Sequence, residues 1–328
     1  MGVPPRTLGR SGIEVSAIGF GAWAIGGPYS AADGTAVGWG EVNDDESVAA
    51  LRRAVELGIT FIDTADSYGA GHSERIIGRA FAGRRDEVVI ATKFGNVFDE
   101  SRRVLTGIDV SPEYIRRACR ASLDRLGTDH IDLYQLHIGE MPLERVDETI
   151  ATLEDLVAEG LIRAYGWSTD DPERAAAFAK GPHCATVQNQ MNVFDDAPEM
   201  LAVCDAHDLA SINRGPLAMG LLTGKYDATS RLPGDDVRGA SPAWMTYFTG
   251  GRPNPEFLAR LDAVREILAS GGRTLAQGAL GWLLARSGRT VPIPGIRTVA
   301  QAEQNAGALR HGPLTAGQLT EIDSLLRR

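Results

Sequence analysis

Four residues able to hold or move a proton stand just beyond short apolar runs. Asp63 and Tyr68 lie in FIDTADSYG, residues 61–69; Lys93 follows VVIAT, and His137 follows IDLYQL. In parallel α/β sheets, residues that face a ligand sit at the carboxyl ends of strands. A phenol is a poor acid near neutrality, with a reference pKa of about 10, but a neighbouring ammonium favours its phenolate and lowers that value. Lys93 is expected to supply this charge to Tyr68, while Asp63 holds the lysine protonated and in place. His137 is expected to donate to a carbonyl oxygen or to assist its protonation. Such a set moves protons and needs no nucleophile. The competing structural reading is a buried Asp–Lys ion pair beside a core-bonded histidine, with Asp63 capping a turn and Tyr68 packed at the surface. The convergence of these residues at the ends of three adjacent strands favours chemistry.

The elements that must position them follow from hydrophobic periodicity. Apolar strand-like runs recur at about 16–20, 60–63, 88–92, 131–135, 163–167, 185–188, 209–213 and 290–293, and helical patterns alternate with them. Polar caps followed by proline mark helix starts at Ser111-Pro112-Glu113, Asp171-Pro172-Glu173 and Asn254-Pro255-Glu256, and Asn43 or Asp44 opens another. Around 144–159, Ile150, Leu153, Leu156 and Val157 share one helical face, as a helix covering a parallel barrel requires. RTLGRSGIEV, residues 6–15, reads as a small hairpin acting as a plug. TLAQGALGWLLAR supplies a helix before the eighth strand, and TAGQLTEIDSLL, with Thr315 and Gln318 in capping-box spacing, adds a terminal one. The stretch 220–253, rich in Gly, Pro, Asp and aromatics, reads as a long loop over the active face. The expected fold is therefore a (β/α)8 TIM barrel with an N-terminal β-hairpin plug and extra C-terminal helices, in one domain spanning 1–328.

Composition narrows the function further. Of 328 residues, 43% are hydrophobic and 23% charged, and no uninterrupted apolar span is long enough for a membrane helix. A net charge of −10 argues against a nucleic-acid surface, so any phosphate site must rest on a local cluster. The first residues lack the apolar core of a secretory signal, and Cys119, Cys184 and Cys204 show no metal-like spacing, so a reducing cytoplasm is the expected compartment. Two motif matches are set aside. Gly19, Gly21 and Ala24 fit G-x-G-x-x-A, with Glu41 near the ribose-acid spacing, but IGGPYSAADG follows where that fingerprint must open a helix. GLLTGKY has the wrong glycine spacing for a Walker loop and carries Tyr226 where magnesium needs Ser or Thr. The six histidines form no H-E-x-x-H or strand-end H-x-H, and no catalytic metal is expected.

The spaced set of Asp63, Tyr68 five residues later, Lys93 closing the third strand and His137 closing the fourth resembles the aldo-keto reductase family. The likeness runs from GFGAW at 19–23 to the terminal helices, and the chain closely resembles the bacterial subgroup that includes general stress proteins. It implies a (β/α)8 barrel that binds NADPH or NADP in extended form without a Rossmann domain and reduces aldehydes and ketones. By motif, it places Ala22 and Trp23 near the nicotinamide, together with Asp63, and Ser168, Thr169 and Gln188 at its carboxamide. Thr169 stands where the family often has Asn or Arg, and Gln190 rivals Gln188. Arg214 takes a position where many members stack an aromatic ring, and Gly215, Leu217 and Lys225 follow in a cofactor-covering loop. In IPGIRTVAQAEQN, residues 293–305, the resemblance implies that Gly295 and Arg297 lie at the adenosine 2′-phosphate, with Arg297 its ligand. Gln301, Gln304 and Asn305 fall toward adenine, and Gln304 replaces a usual Glu. Thr298 and Gln301 also form a capping box in sequence, and the helix start itself favours an anion.

The partner expected is a small carbonyl compound, with no nucleic acid, no membrane and no readable protein partner. Its pocket is expected from Trp23, Tyr68, Phe94, His137, Trp167 and the loop bearing Trp244, Tyr247 and Phe248. The alternative is an NADPH-sensing regulatory subunit, since the barrel also resembles potassium-channel β subunits; those carry Asn at the fourth-strand position, and His137 favours catalysis. A metal-dependent barrel hydrolase or isomerase is the third option.

Overall fold

Residues 2–328 are described by the structure, a computed structural model. Eight strands form one parallel sheet in sequence order: β1 (Phe20–Gly21), β2 (Phe61–Asp63), β3 (Val89–Phe94), β4 (Ile131–Leu136), β5 (Ile162–Ser168), β6 (Cys184–Gln190), β7 (Ala210–Arg214) and β8 (Thr290–Pro292). The sheet curls onto itself. The N–H groups of Gly19 and Gly21 donate to the carbonyls of Pro292 and Pro294 at 2.9 Å each, and that of Ile296 donates to Gly21 at 3.2 Å. Gly21 is required at this seam, because a Cβ there would stand 2.6 Å from the Ile293 carbonyl oxygen. The first strand starts later than its apolar run suggests. Ser16 folds its hydroxyl onto the Ile18 carbonyl at 2.7 Å and accepts the Thr60 N–H at 2.9 Å, so side-chain bonds replace the ladder there.

The helices are α1 (Asp44–Glu56), α2 (His72–Phe81), α3 (Pro112–Leu126), α4 (Val146–Ala158), α5 (Pro172–Phe178), α6 (Pro198–His207), α7 (Pro255–Ala269), α8 (Leu275–Arg286), α9 (Val299–His311) and α10 (Ala316–Leu325). Their caps are those the sequence marks. Asn43, Ser111, Asp171 and Asn254 each accept a backbone N–H from the first turn, and Thr315 with Gln318 closes a reciprocal capping box. Residues α7 and α10 contribute lie outside the alternating repeat and pack together, with Gln318 Nε2 donating to Ser270 Oγ at 2.7 Å.

The amino end of the barrel is dry. Leu8, Ile13 and Val15 of the hairpin, whose strands are Arg6–Thr7 and Glu14–Val15, are buried against the inward side chains of seven barrel strands. The opposite end carries the insertions. One is an antiparallel hairpin, Asn96–Asp99 with Val104–Ile108, absent from the sequence-based expectation. The stretch 220–253 is not all loop: it holds a one-turn helix, Val237–Ala240, and a short pair, Phe248–Thr249 with Arg252–Pro253. Among the described residues, no helix is long and apolar enough to cross a membrane.

Candidate active site

Strand alternation carries Asp63, Lys93, Gln135, His137 and Ser168 to the carboxyl end of the barrel lumen. Lys93 Nζ donates to Asp63 Oδ1 at 2.6 Å, to the Thr64 carbonyl at 2.7 Å and reaches the Tyr68 hydroxyl at 3.3 Å. These partners use all three hydrogens of an ammonium. The other carboxylate oxygen, Asp63 Oδ2, accepts from Gln188 Nε2 at 2.8 Å and Gln135 Nε2 at 3.1 Å. A buried ion pair repays its desolvation only when the remaining lone pairs and protons are bonded, and here they are. The same bonds fix the lysine against the phenol. Gln135 was not among the expected site residues, although it lies at the same strand parity as His137.

Burial, followed by the Asp63 carboxylate, pushes the Tyr68 phenol well above its ordinary value, with Arg214 opposing. The expectation was that Lys93 brings the phenol down; burial and the Asp63 carboxylate outweigh the ammonium, which lies against that carboxylate, and the net shift is upward. Tyr68 is therefore held in its neutral, donating form. Burial, then Lys93 and Arg214, pushes His137 well below the usual histidine value and keeps the imidazole neutral. Its ring stands edge-on to Tyr68, 5.7 Å between centroids, and its buried Nδ1 has no hydrogen-bond partner. A neutral phenol, a neutral imidazole and a bonded ion pair thus face one point. That arrangement can deliver a proton to an oxygen. Among the described residues, no group of three or more His, Cys, Asp or Glu side chains is arranged to hold a metal ion.

Tyr68 and His137 open into a cleft of about 860 Å³. Of the residues expected around a cofactor, Trp23, Asp63, Ser168, Gln188, Arg214, Gly215, Leu217 and Lys225 line its inner part and cover, and Gly295, Arg297, Gln301, Gln304 and Asn305 line it as well. The two rival glutamines have separate tasks. Gln188 bonds Asp63, whereas Gln190 donates to Asp195 and Tyr247 and accepts from Arg214 at 3.2 Å. Arg214 also pairs with Asp170, which holds its guanidinium at the wall. Arg297 donates to the Trp39 carbonyl at 3.0 Å and to the Glu41 carbonyl. The capping box at Thr298 is only half formed: Thr298 Oγ1 accepts from the Gln301 N–H, while Gln301 Oε1 takes the N–H of Arg297 at 2.7 Å.

Trp23 lies near-parallel to Tyr68 with centroids 6.0 Å apart, and Trp244, 56% exposed, stands 6.3 Å from Trp23 at the mouth. Tyr247 also lines the cleft. Five expected residues do not. Phe94 packs on Tyr134 and Trp167 on Phe178 in the layer between sheet and helices, because Lys93 and Ser168 point inward and their strand neighbours must point outward. Ala22 is buried in the same layer, with its carbonyl bound by Ser73 Oγ. Thr169 Oγ1 donates to the Gly139 carbonyl at 2.9 Å and accepts from Asp171 N–H, so its hydroxyl ties a loop. Phe248 is likewise buried in the core.

Sequence reasoning also missed a clasp over the cleft. The Val237 N–H donates to the Gly38 carbonyl at 2.8 Å, and Arg238 lies 4.5 Å from the Trp39 ring while bonding Asp236 through two nitrogens at 2.8 and 2.6 Å. Trp39 sits in a Gly-rich loop with no period, so nothing in its spacing marks it. Asn96 and Leu105 of the inserted hairpin complete the lining near Tyr68.

Comparison with known proteins places this geometry. The profile described as Aldo/keto reductase family matches residues 17–327. A Bacillus subtilis protein described as the uncharacterized oxidoreductase YqkF is 37% identical over 321 residues, covering 97% of this chain and 95% of the relative. The holo form of aldo-keto reductase AKR11C1 from Bacillus halodurans superposes with a TM-score of 0.77 at 30% identity, covering 98% of this chain and 95% of that one. An aldo-keto reductase from Klebsiella pneumoniae, solved in complex with NADPH, gives a TM-score of 0.71 at 29% identity over 99% and 96% of the two chains.

Proposed function

The chain belongs to the aldo/keto reductase family, and on that premise we propose that it is an NADPH-dependent reductase of aldehydes and ketones with Tyr68 as general acid. One observation carries the reading: the buried Asp63–Lys93 pair reaches Tyr68 at the inner end of a cleft, where His137 also faces. We take residues 1–328 as one barrel domain of this kind, belonging to the bacterial general-stress-protein-like subgroup, with a reducing cytoplasm as its setting. The three cysteines, all free and buried, support that setting.

The cleft's own residues fit the cofactor. Ser168 and its cross-strand partner Gln188 line the inner part of the cleft where a carboxamide needs donors and acceptors, Gly215 and Gly220 put no side chain on the covering loop at their two positions, and Arg297 brings a cation to the segment that also holds Asn305. Bound NADPH supplies a hydride for the carbonyl carbon. Tyr68 gives its proton to the carbonyl oxygen, and Lys93 orients the phenol and balances the phenolate left behind. His137, neutral, donates an N–H to the same oxygen and fixes its direction. Trp23 and Trp244 supply flat apolar walls, which suit an aromatic or otherwise apolar carbonyl.

The test is a screen of NADPH oxidation over aromatic aldehydes, aliphatic aldehydes, ketones and sugars, with a Tyr68→Phe control. Turnover of at least one class, lost in the control, is expected. Tight NADPH binding without turnover on any class would point instead to a cofactor-sensing subunit.

A further inference from the structure

Resting on the reading of the cleft as an NADPH site, we infer that Glu46 is a selectivity residue: its carboxylate weakens the hold on the 2′-phosphate and narrows the preference for NADPH over NADH. The start of α9 is the place where a helix terminus would ordinarily welcome an anion. Here that end is already occupied from within the chain. Glu46 Oε1, from the first turn of α1, accepts the Val299 N–H at 2.9 Å, and Thr298 Oγ1 accepts the Gln301 N–H at 3.3 Å. The backbone of Glu46 is pinned as well, its N–H donating to Asn43 Oδ1 at 3.0 Å. The Glu46 carboxylate therefore lies against the backbone N–H of the residue two places after Arg297.

The positive side of the balance is thin. Four basic residues line the cleft: Arg214, Lys225, Arg238 and Arg297. Arg214 is paired with Asp170 and Arg238 with Asp236, while Lys225 lies over the Tyr226 ring, 4.9 Å from its centroid. Arg297 is bonded only to backbone carbonyls, of Trp39 and Glu41, so its charge stays uncompensated by a direct carboxylate partner. A 2′-phosphate held by Arg297 carries nearly two negative charges and is repelled by the Glu46 carboxylate, which binds the backbone N–H two residues further on. Over several ångströms of a water-like medium, such repulsion amounts to roughly a three- to tenfold loss of affinity. NADH, with a hydroxyl in the same place, feels little of it.

The bland role of Glu46, capping α9 and docking it on α1, is separable from its charge. Gln keeps the acceptor for the Val299 N–H, and Arg53 still ties the two helices through Glu303 at 2.9 Å. The experiment titrates the full chain, Glu46→Gln and Arg297→Ala with NADPH and with NADH, following tryptophan fluorescence at low and high salt, with melting temperatures as a check on folding. Glu46→Gln should bind NADPH roughly three- to tenfold more tightly at low salt, with NADH unchanged and the gain shrinking as salt rises. An unchanged NADPH-to-NADH ratio in Glu46→Gln, or equal tightening of both cofactors, would overturn the inference while a selective NADPH loss in Arg297→Ala left the cofactor site standing. Arg297→Ala acting on both cofactors alike, or on neither, would overturn the placement of the 2′-phosphate and the inference with it.

Discussion

At the amino end of the barrel Phe61, Ala91, Leu133 and Ile212 close on the hairpin's Leu8, Ile13 and Val15, whereas two residues further along the same strands stand Asp63, Lys93, Gln135 and Arg214. The backbone treats the two layers alike, since a period of two keeps each pair facing the lumen. What differs is how each layer is satisfied. The dry layer needs only close packing and is sealed by three apolar side chains. In the polar layer, each of Asp63, Lys93, Gln135 and Gln188 carries hydrogen bonds to another member or to backbone, and Tyr68 and His137 are left facing the cleft. One strand set thus provides a structural end and a chemical end, and changes in each should be separable.

The largest separation is expected for Tyr68→Phe, which removes the proton donor and no bond of the dry layer. Turnover should fall roughly a hundred- to ten-thousandfold, the contribution of a positioned general acid, with NADPH affinity by fluorescence titration nearly unchanged. Wild-type turnover in this variant would sink Tyr68 as the acid.

Lys93→Met sharpens the same contrast through pH. Without the ammonium, Asp63 faces the phenol alone and raises it further above a value that burial already lifts. Alcohol oxidation needs the phenolate, so its rate, which rises with pH, should rise later in the variant than in the parent. A profile of kcat/KM against pH that does not move would disconnect Lys93 from Tyr68.

At the other end, Leu8→Ala should lower stability by about 2–5 kcal/mol, as for a fully buried leucine truncated in a packed core, while kcat per folded molecule stays the same. A loss of turnover without a loss of stability would show that the plug shapes the chemical end. The smallest effect concerns His137. Its folded-state pKa lies well below the ordinary 6.5, so as pH falls through 6.5 the unfolded chain takes up a proton that the folded chain refuses. Stability is lost on acidification, by at most about 1.4 kcal/mol per pH unit until the folded pKa is reached. His137→Asn should remove that slope from urea midpoints compared between neutral and mildly acidic pH; an identical slope would mean that the imidazole is not the group refusing the proton.

The eight strands were legible because each is an apolar run bounded by helical periodicity, and the caps because Asn, Ser, Asp and Thr act locally. The placement of Asp63, Lys93 and His137 was legible because each closes or follows such a run directly, and that of Tyr68 because it sits in the loop that leaves the second strand. Phe94 and Trp167 were misplaced by choosing aromatics for their type instead of their parity: each adjoins an inward residue and must face out. The inserted hairpin at 96–108 offers only short, partly exposed runs, which carry no clear period. Trp39 and Glu46 reach their partners across more than 190 residues of chain, to Arg238 and to Val299, and no local pattern encodes such meetings. The upward shift of Tyr68 was hidden for a related reason: it depends on burial and on which neighbour Lys93 prefers, and both are set by tertiary packing.

Whether the polar end reduces a carbonyl with hydride taken from NADPH is decided by supplying NADPH deuterated at the reactive nicotinamide carbon, together with a carbonyl that the screen finds to be turned over, and analysing the alcohol by mass spectrometry. The expected result is deuterium on the carbinol carbon of the product from the parent protein and almost no product from Tyr68→Phe. An alcohol formed without deuterium, from either stereochemically labelled cofactor, would contradict it.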